Sequence, residues 1–299
     1  MQKTKAEPAL NPTRSVSLVL GSGGARGLAH IGIIQWLQEN DYDIQSVAGS
    51  SMGAVVGGIF AAGKLGAYTE WIKALSKADV LLLLDFSFSR AGLFKGERII
   101  EKLKELIGEY NIEDLRISFT AVATDVVAGK EVWLSQGSLF DAIRASFAIP
   151  TLFTPHDYHG RLLLDGGLIN PVPIAPTLKD LTDITIAVDL NGSEQPHRPA
   201  AMDAQTPKEP ENHYRQRILK FIEELSHRTR EKENNWGFFE VLQHSFETMQ
   251  STISRLKLAA YSPDVIIEIP KNACGPFEFY RAAEMIALGR HQAEKALGR

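Results

Sequence analysis

The chain has 299 residues, 44% hydrophobic and 23% charged, a balance that suits a globular protein with a sizeable core. Its formal net charge of −4 gives no electrostatic reason to expect nucleic acid as a partner. The single cysteine, Cys274, excludes an intrachain disulfide and a thiolate metal site, and it suits a reducing compartment.

Residues 1–14 are polar, hold two prolines and lack the apolar core of a secretory signal. They read as a flexible tail on a cytoplasmic protein, with any membrane contact peripheral. "SVSLVL" (15–20) is a short buried strand running into "GSGGARG" (Gly21 to Gly27), and a helix follows with Leu28, Ile31, Ile34 and Leu37 on one side. "IQSVAGS" is a second strand ending at Gly49, followed by a turn carrying Ser51 and a helix rich in small residues. This strand–loop–helix–strand–turn–helix order predicts a mostly parallel sheet covered by helices. The spacing in 97–108 predicts an amphipathic helix ending at Gly108. "ISFTAVATD" and "EVWLS" read as strands, "LFDAIRASFAI" as a helix up to Pro150, and "GRLLLDGG" as a strand ending in a tight turn at Asp165. "ITIAVDL" and "DVIIEIP" are further strands, and a helix over about 278–297 closes the chain.

This gives a catalytic core at 15–192, a Pro-rich linker with a helical insertion at 193–260, and the final strand and helix of the core at 261–299. Within the insertion, Phe239, Leu242, Phe246, Met249, Ile253 and Leu256 recur at spacings of three and four, a seam for packing against another surface. That seam, and the apolar stretch 80–94, suit an acyl channel, a lid, a membrane contact or a dimer interface, and equally core packing.

"GSSMG" places Ser51 between Gly49 and Gly53 in the pattern G-x-S-x-G, which needs a base and oxyanion donors to mean more than a glycine-rich turn. The glycines of "GSGGARG", Gly21, Gly23, Gly24 and Gly27, can aim backbone N–H groups into one concavity at a helix start, as in a phosphate cradle or an oxyanion hole. Neither the dinucleotide register G-x-G-x-x-G nor a Walker A lysine is present. For the base, the histidines sit in poor contexts for a Ser–Asp–His triad, and His30 on the first helix reads as structural. Asp165, delivered by three leucines and followed by Gly166 and Gly167, is the better candidate. Desolvation raises a carboxyl pKa, so an aspartate in direct contact with a serine can take its proton.

The combination of "GSGGARGLAHIG", "GSSMG" and "DGG", in this order, resembles the bacterial patatin-like phospholipases. "RASFAIPTLFTPH" and "SPDVIIEIP…FEFYRAAEMIALGR" extend the likeness over most of 15–297. The resemblance implies a three-layer α/β/α fold and a Ser–Asp dyad of Ser51 as nucleophile and Asp165 as proton acceptor. It also implies an oxyanion hole within the Gly21–Gly27 motif, made of backbone N–H groups around Gly23 and Gly24, with Arg26 as the motif's basic residue. One departure is Ser22, which stands where the family has the first glycine of its triplet. The implied activity is hydrolysis of phospholipid or lysophospholipid esters through an acyl-enzyme, with no cofactor and no metal. A lipid transacylase, a nucleotide-binding oxidoreductase and a catalytically idle regulatory protein are the alternatives.

Overall fold

The computed structural model describes residues 13–85, 87, 92–195 and 238–298. The linker beyond residue 195 and the insertion up to residue 237 lie outside the described residues, as does the side chain of Phe239. Strand β1 (Arg14–Leu20) leads through a 3-10 turn (Gly24–Leu28) into helix α1 (Ala29–Glu39), and β2 (Tyr42–Ser50) leads into α2 (Met52–Ala61). Leu28, Ile31, Ile34 and Leu37 are all fully buried, as their spacing predicts. Two helices absent from the expected order follow, α3 (Leu65–Ala74) and α4 (Lys77–Leu82), so the apolar stretch at 80–94 is in part helical. A capping box between Ser76 and Asp79 starts α4.

A short strand β3 (Gly92–Phe94) precedes α5 (Glu97–Ile107), which buries Ile100, Leu103 and Ile107 and stops at Gly108. Next come β4 (Ser118–Asp125), β5 (Lys130–Leu134), α6 (Leu139–Ser146), β6 (Thr151–Phe153), β7 (His156–Tyr158) and β8 (Arg161–Asp165). The chain then forms β9 (Ile184–Gly192), α7 (Phe238–Tyr261), β10 (Val265–Pro270) and α8 (Ala282–Leu297). Helix α6 ends three residues short of Ile149, because the Ala148 carbonyl turns away to accept the Asp165 N–H at 2.9 Å. Helix α8 begins at Ala282, behind a 3-10 turn (Phe279–Arg281).

Strands β10, β9, β1, β2 and β4 run parallel in that order, and β5, β8 and β7 are antiparallel additions. Side chains alternate across β1 and β9. Val16, Leu18, Leu20, Ile186 and Val188 join the large core with α1, α2 and α8, whereas Val19 and Ala187 face Val172, Ile174 and Leu258 of α7. A sheet with helices on both faces gives the three-layer α/β/α arrangement.

The inward face of α7 is formed by Gln250, Ser254 and Leu258, at a spacing of four. Its apolar Leu242, Met249 and Leu256 are exposed to solvent instead. Among the described residues no helix is long and apolar enough to cross a membrane.

The register around β4 decides what meets at the site. Strand β5 pairs with β4 residues 121–125, overlapping both β2, which pairs with 118–122, and β8, which pairs with 123–125. A strand has two edges, so β2 and β8 must share the edge that β5 leaves. They lie along it in opposite directions with their carboxyl ends together: Ser50 sits opposite Val122, and Asp165 opposite Ala123.

Candidate active site

Ser51 follows β2 directly, with φ 55° and ψ −121°. A non-glycine residue at positive φ is held there only when its surroundings determine it. Here the Ser51 N–H donates to Ser146 Oγ at 3.0 Å, and the Ser146 hydroxyl donates to the Val122 carbonyl at 2.6 Å. The sharp turn into α2 also requires close approach. A Cβ on Gly53 would run into the Leu20 carbonyl, and one on Gly49 into the Gly53 backbone.

The Ser51 hydroxyl donates to Asp165 Oδ2 at 2.6 Å. Ser51 is 2% exposed and Asp165 1%. The other carboxylate oxygen, Oδ1, accepts the Gly167 N–H at 2.7 Å, while Thr124 Oγ1 donates to the Asp165 carbonyl at 2.9 Å. Burial pushes the Asp165 carboxyl up to about 7, against the opposing pull of the Ser51 and Gly167 hydrogen bonds. Among the described residues no histidine bonds to either side chain of the pair.

The glycines of the Gly21–Gly27 loop divide into different roles. Gly21 N–H donates to the Val188 carbonyl, Ser22 N–H to Pro171 and Ala25 N–H to Pro276, so the Gly21 amide is already committed. Gly27 is buried inside the 3-10 turn, where a Cβ would run into Met52 Cβ at the start of α2. Its missing side chain thus serves close packing of the loop against the residue after Ser51, rather than aiming an amide into the concavity. The Gly23 and Gly24 amides donate to no acceptor among the described residues. Gly24 takes the left-handed conformation, φ 57°, and Ser22 does not, so serine at position 22 meets no backbone obstacle. Arg26 is buried and acts as a clip: Nε donates to the Gly23 carbonyl at 3.1 Å and Nη1 to Lys271 at 2.8 Å. His30 Nε2 lies 2.9 Å from the Gly21 carbonyl, and burial pushes its pKa down to about 4. It is therefore neutral at pH 7 and donates to the loop.

Gly24, Arg26, Ser51 and Met52 open onto a cavity of about 1490 Å³. Its lining mixes apolar side chains, among them Tyr68, Trp71, Ile72 and Phe153, with polar ones, among them Gln243, Thr248, Arg255 and Glu278.

A buried serine held at positive φ on a strand-to-helix turn, with a desolvated aspartate directly on its hydroxyl, pairs a nucleophile with a proton acceptor, the arrangement that acyl transfer requires. The patatin-like phospholipase family model matches residues 18–178, and the chain belongs to that family. This places it among the lipid hydrolases. An uncharacterized NTE family protein of Mycobacterium tuberculosis is 41% identical over 94% of this chain and 91% of that protein. Neuropathy target esterase sws of Drosophila persimilis is 38% identical over 53% of this chain and 12% of its own length. The solved structure of VipD from Legionella pneumophila aligns with 95% of this chain and 66% of its own, with a TM-score of 0.48 and 15% identity.

Thr124, Ser146 and Gln250 make side-chain polar contacts at the site and escape sequence reasoning. Ser146 lies inside a helix with no spacing relation to Ser51, and Gln250 of α7 reaches the site from 228 residues beyond Ser22.

Proposed function

We propose that the chain hydrolyses carboxylic esters of phospholipids or lysophospholipids through an acyl-enzyme on Ser51, with Asp165 as the base. The observation that carries this reading is the direct 2.6 Å hydrogen bond between the two side chains in a dry setting. An aspartate with a pKa near 7 is matched to proton transfer at neutral pH. As Ser51 Oγ bonds to the ester carbonyl carbon, its proton passes to Asp165 Oδ2 and the carbonyl π electrons move onto oxygen. The uncommitted Gly23 and Gly24 amides, with the amino-terminal end of α2, are the donors for that oxyanion. Collapse of the tetrahedral intermediate breaks the bond to the alcohol oxygen, which takes the proton back from Asp165. Water then adds to the acyl-enzyme by the same route, releasing fatty acid and free Ser51.

The mixed apolar and polar lining of the cavity supports an amphipathic substrate, with the acyl chain against apolar residues such as Tyr68, Trp71 and Ile72. The test is release of fatty acid from phospholipid and lysophospholipid by the wild type and by Ser51→Ala. The variant is expected to fold and to lose activity by about 10⁴-fold or more. Undiminished release by Ser51→Ala removes Ser51 from the reaction.

A further inference from the structure

Helix α7 bonds to both the glycine loop and the Asp165 turn through the side chain of Gln250. Gln250 is 4% exposed, and its Nε2 donates both to Ser22 Oγ at 3.2 Å and to the Gly167 carbonyl at 3.1 Å. Ser22 belongs to the glycine loop, directly before Gly23 and Gly24. Gly167 belongs to the Asp turn, and its own N–H holds Asp165 Oδ1. A Cβ on residue 167 would run into both Gln250 Nε2 and the Ser22 hydroxyl, so the Gly167 site is shaped by this pair. The same face of α7 is tied down at two further points. Asn191 Nδ2 donates to the buried Ser254 hydroxyl at 3.3 Å, and Lys257 Nζ lies 3.8 Å from Glu131.

We propose that Gln250 is a positioning residue of the active site, through which α7 holds the oxyanion loop and the Asp165 turn in one geometry. The proposal rests on the dyad reading above. It accounts for the serine at position 22, whose hydroxyl supplies an acceptor that a glycine there lacks, and for a buried amide on a helix whose Leu242, Met249 and Leu256 are exposed. A carboxamide with two N–H donors is the chemistry this junction requires. One donor fixes the carbonyl side of Gly167, leaving its N–H aimed at the carboxylate, and the other fixes Ser22.

The test compares Gln250→Met, which keeps the volume without donors, and Gln250→Glu, which keeps size and polarity but loses both donors when ionised. Turnover of a short-chain p-nitrophenyl ester is measured together with amide hydrogen exchange in two segments, 20–28 and 163–170. Both variants are expected to lose about 10- to 100-fold in kcat with KM within twofold. Exchange should rise in both segments and stay unchanged in β5. Unchanged kcat, a loss confined to KM, or unaltered exchange in either segment overturns the proposal. If the wild type itself turns over no ester, the dyad reading fails, and the exchange data alone decide whether Gln250 couples the two segments.

Discussion

Replacing Asp165 by asparagine should make the protein more stable, and more so as pH rises. Asparagine keeps an oxygen for the Gly167 N–H and fits the same space, but it never ionises. The aspartate does ionise, in a site that is 1% exposed, and burial raises its pKa from 3.8 to about 7. The unfolded chain therefore releases this proton well before the folded one does. The associated stability is present below pH 4 and is lost as pH rises through 7. At about 1.4 kcal/mol per pH unit, the loss is about 1 kcal/mol at pH 4.5 and about 4 kcal/mol above pH 8. The advantage of Asp165→Asn over the wild type should grow by roughly 3 kcal/mol between those conditions, which is on the order of 5–10 °C in Tm. Other titrating groups are common to both proteins and cancel in the difference. Thermal and urea denaturation of the pair at pH 4.5 and pH 8.5 reads it directly. A gap that stays constant, or narrows as pH rises, refutes a desolvated carboxylate at this position.

Ser146→Ala removes the acceptor of the Ser51 N–H and the donor to the Val122 carbonyl, both buried. It should cost about 1–3 kcal/mol in denaturation and lower kcat with KM held; unchanged kcat would show that the turn keeps its shape without it. His30→Gln retains a donor for the Gly21 carbonyl but cannot be protonated. Because burial lowers the His30 pKa from 6.5 to about 4, the wild type loses stability as pH falls through that interval, by roughly 2–3 kcal/mol at pH 4.5. Urea melts at pH 7 and 4.5 should show the variant spared this loss, and parallel losses in the two proteins would contradict it.

Much of the site is legible locally because its parts are local. Gly49, Ser51 and Gly53 make the turn among themselves, and three leucines followed by two glycines announce a buried strand delivering Asp165. Their meeting is not local. It depends on β4 carrying the ends of β2 and β8 on one edge, a register set by where β5 pairs, and no pattern within either motif encodes it. The glycine loop is legible as a unit but not residue by residue: which glycine frees an amide and which, like Gly27, only admits a neighbour depends on Met52 and Val188 from other elements. Helix α7 shows the opposite situation. Apolar residues at spacings of three and four suggest a packing face, yet Gln250 and Ser254 turn inward because they find hydrogen-bond partners at the rim of the sheet, while Leu256 remains 66% exposed. Helix α3 buries Leu65, Tyr68, Thr69 and Ile72, a helical spacing masked by the threonine, whose hydroxyl is satisfied by the Leu65 carbonyl.

The central claim is that Asp165 alone activates Ser51, and the rate at which a fluorophosphonate forms a covalent adduct measures that activation. Mass spectrometry should locate one adduct on Ser51, with a rate that rises with pH to a plateau around a midpoint near 7 and falls by at least about 100-fold in Asp165→Asn. An adduct on another residue, or equal labelling of the asparagine variant, would contradict the account.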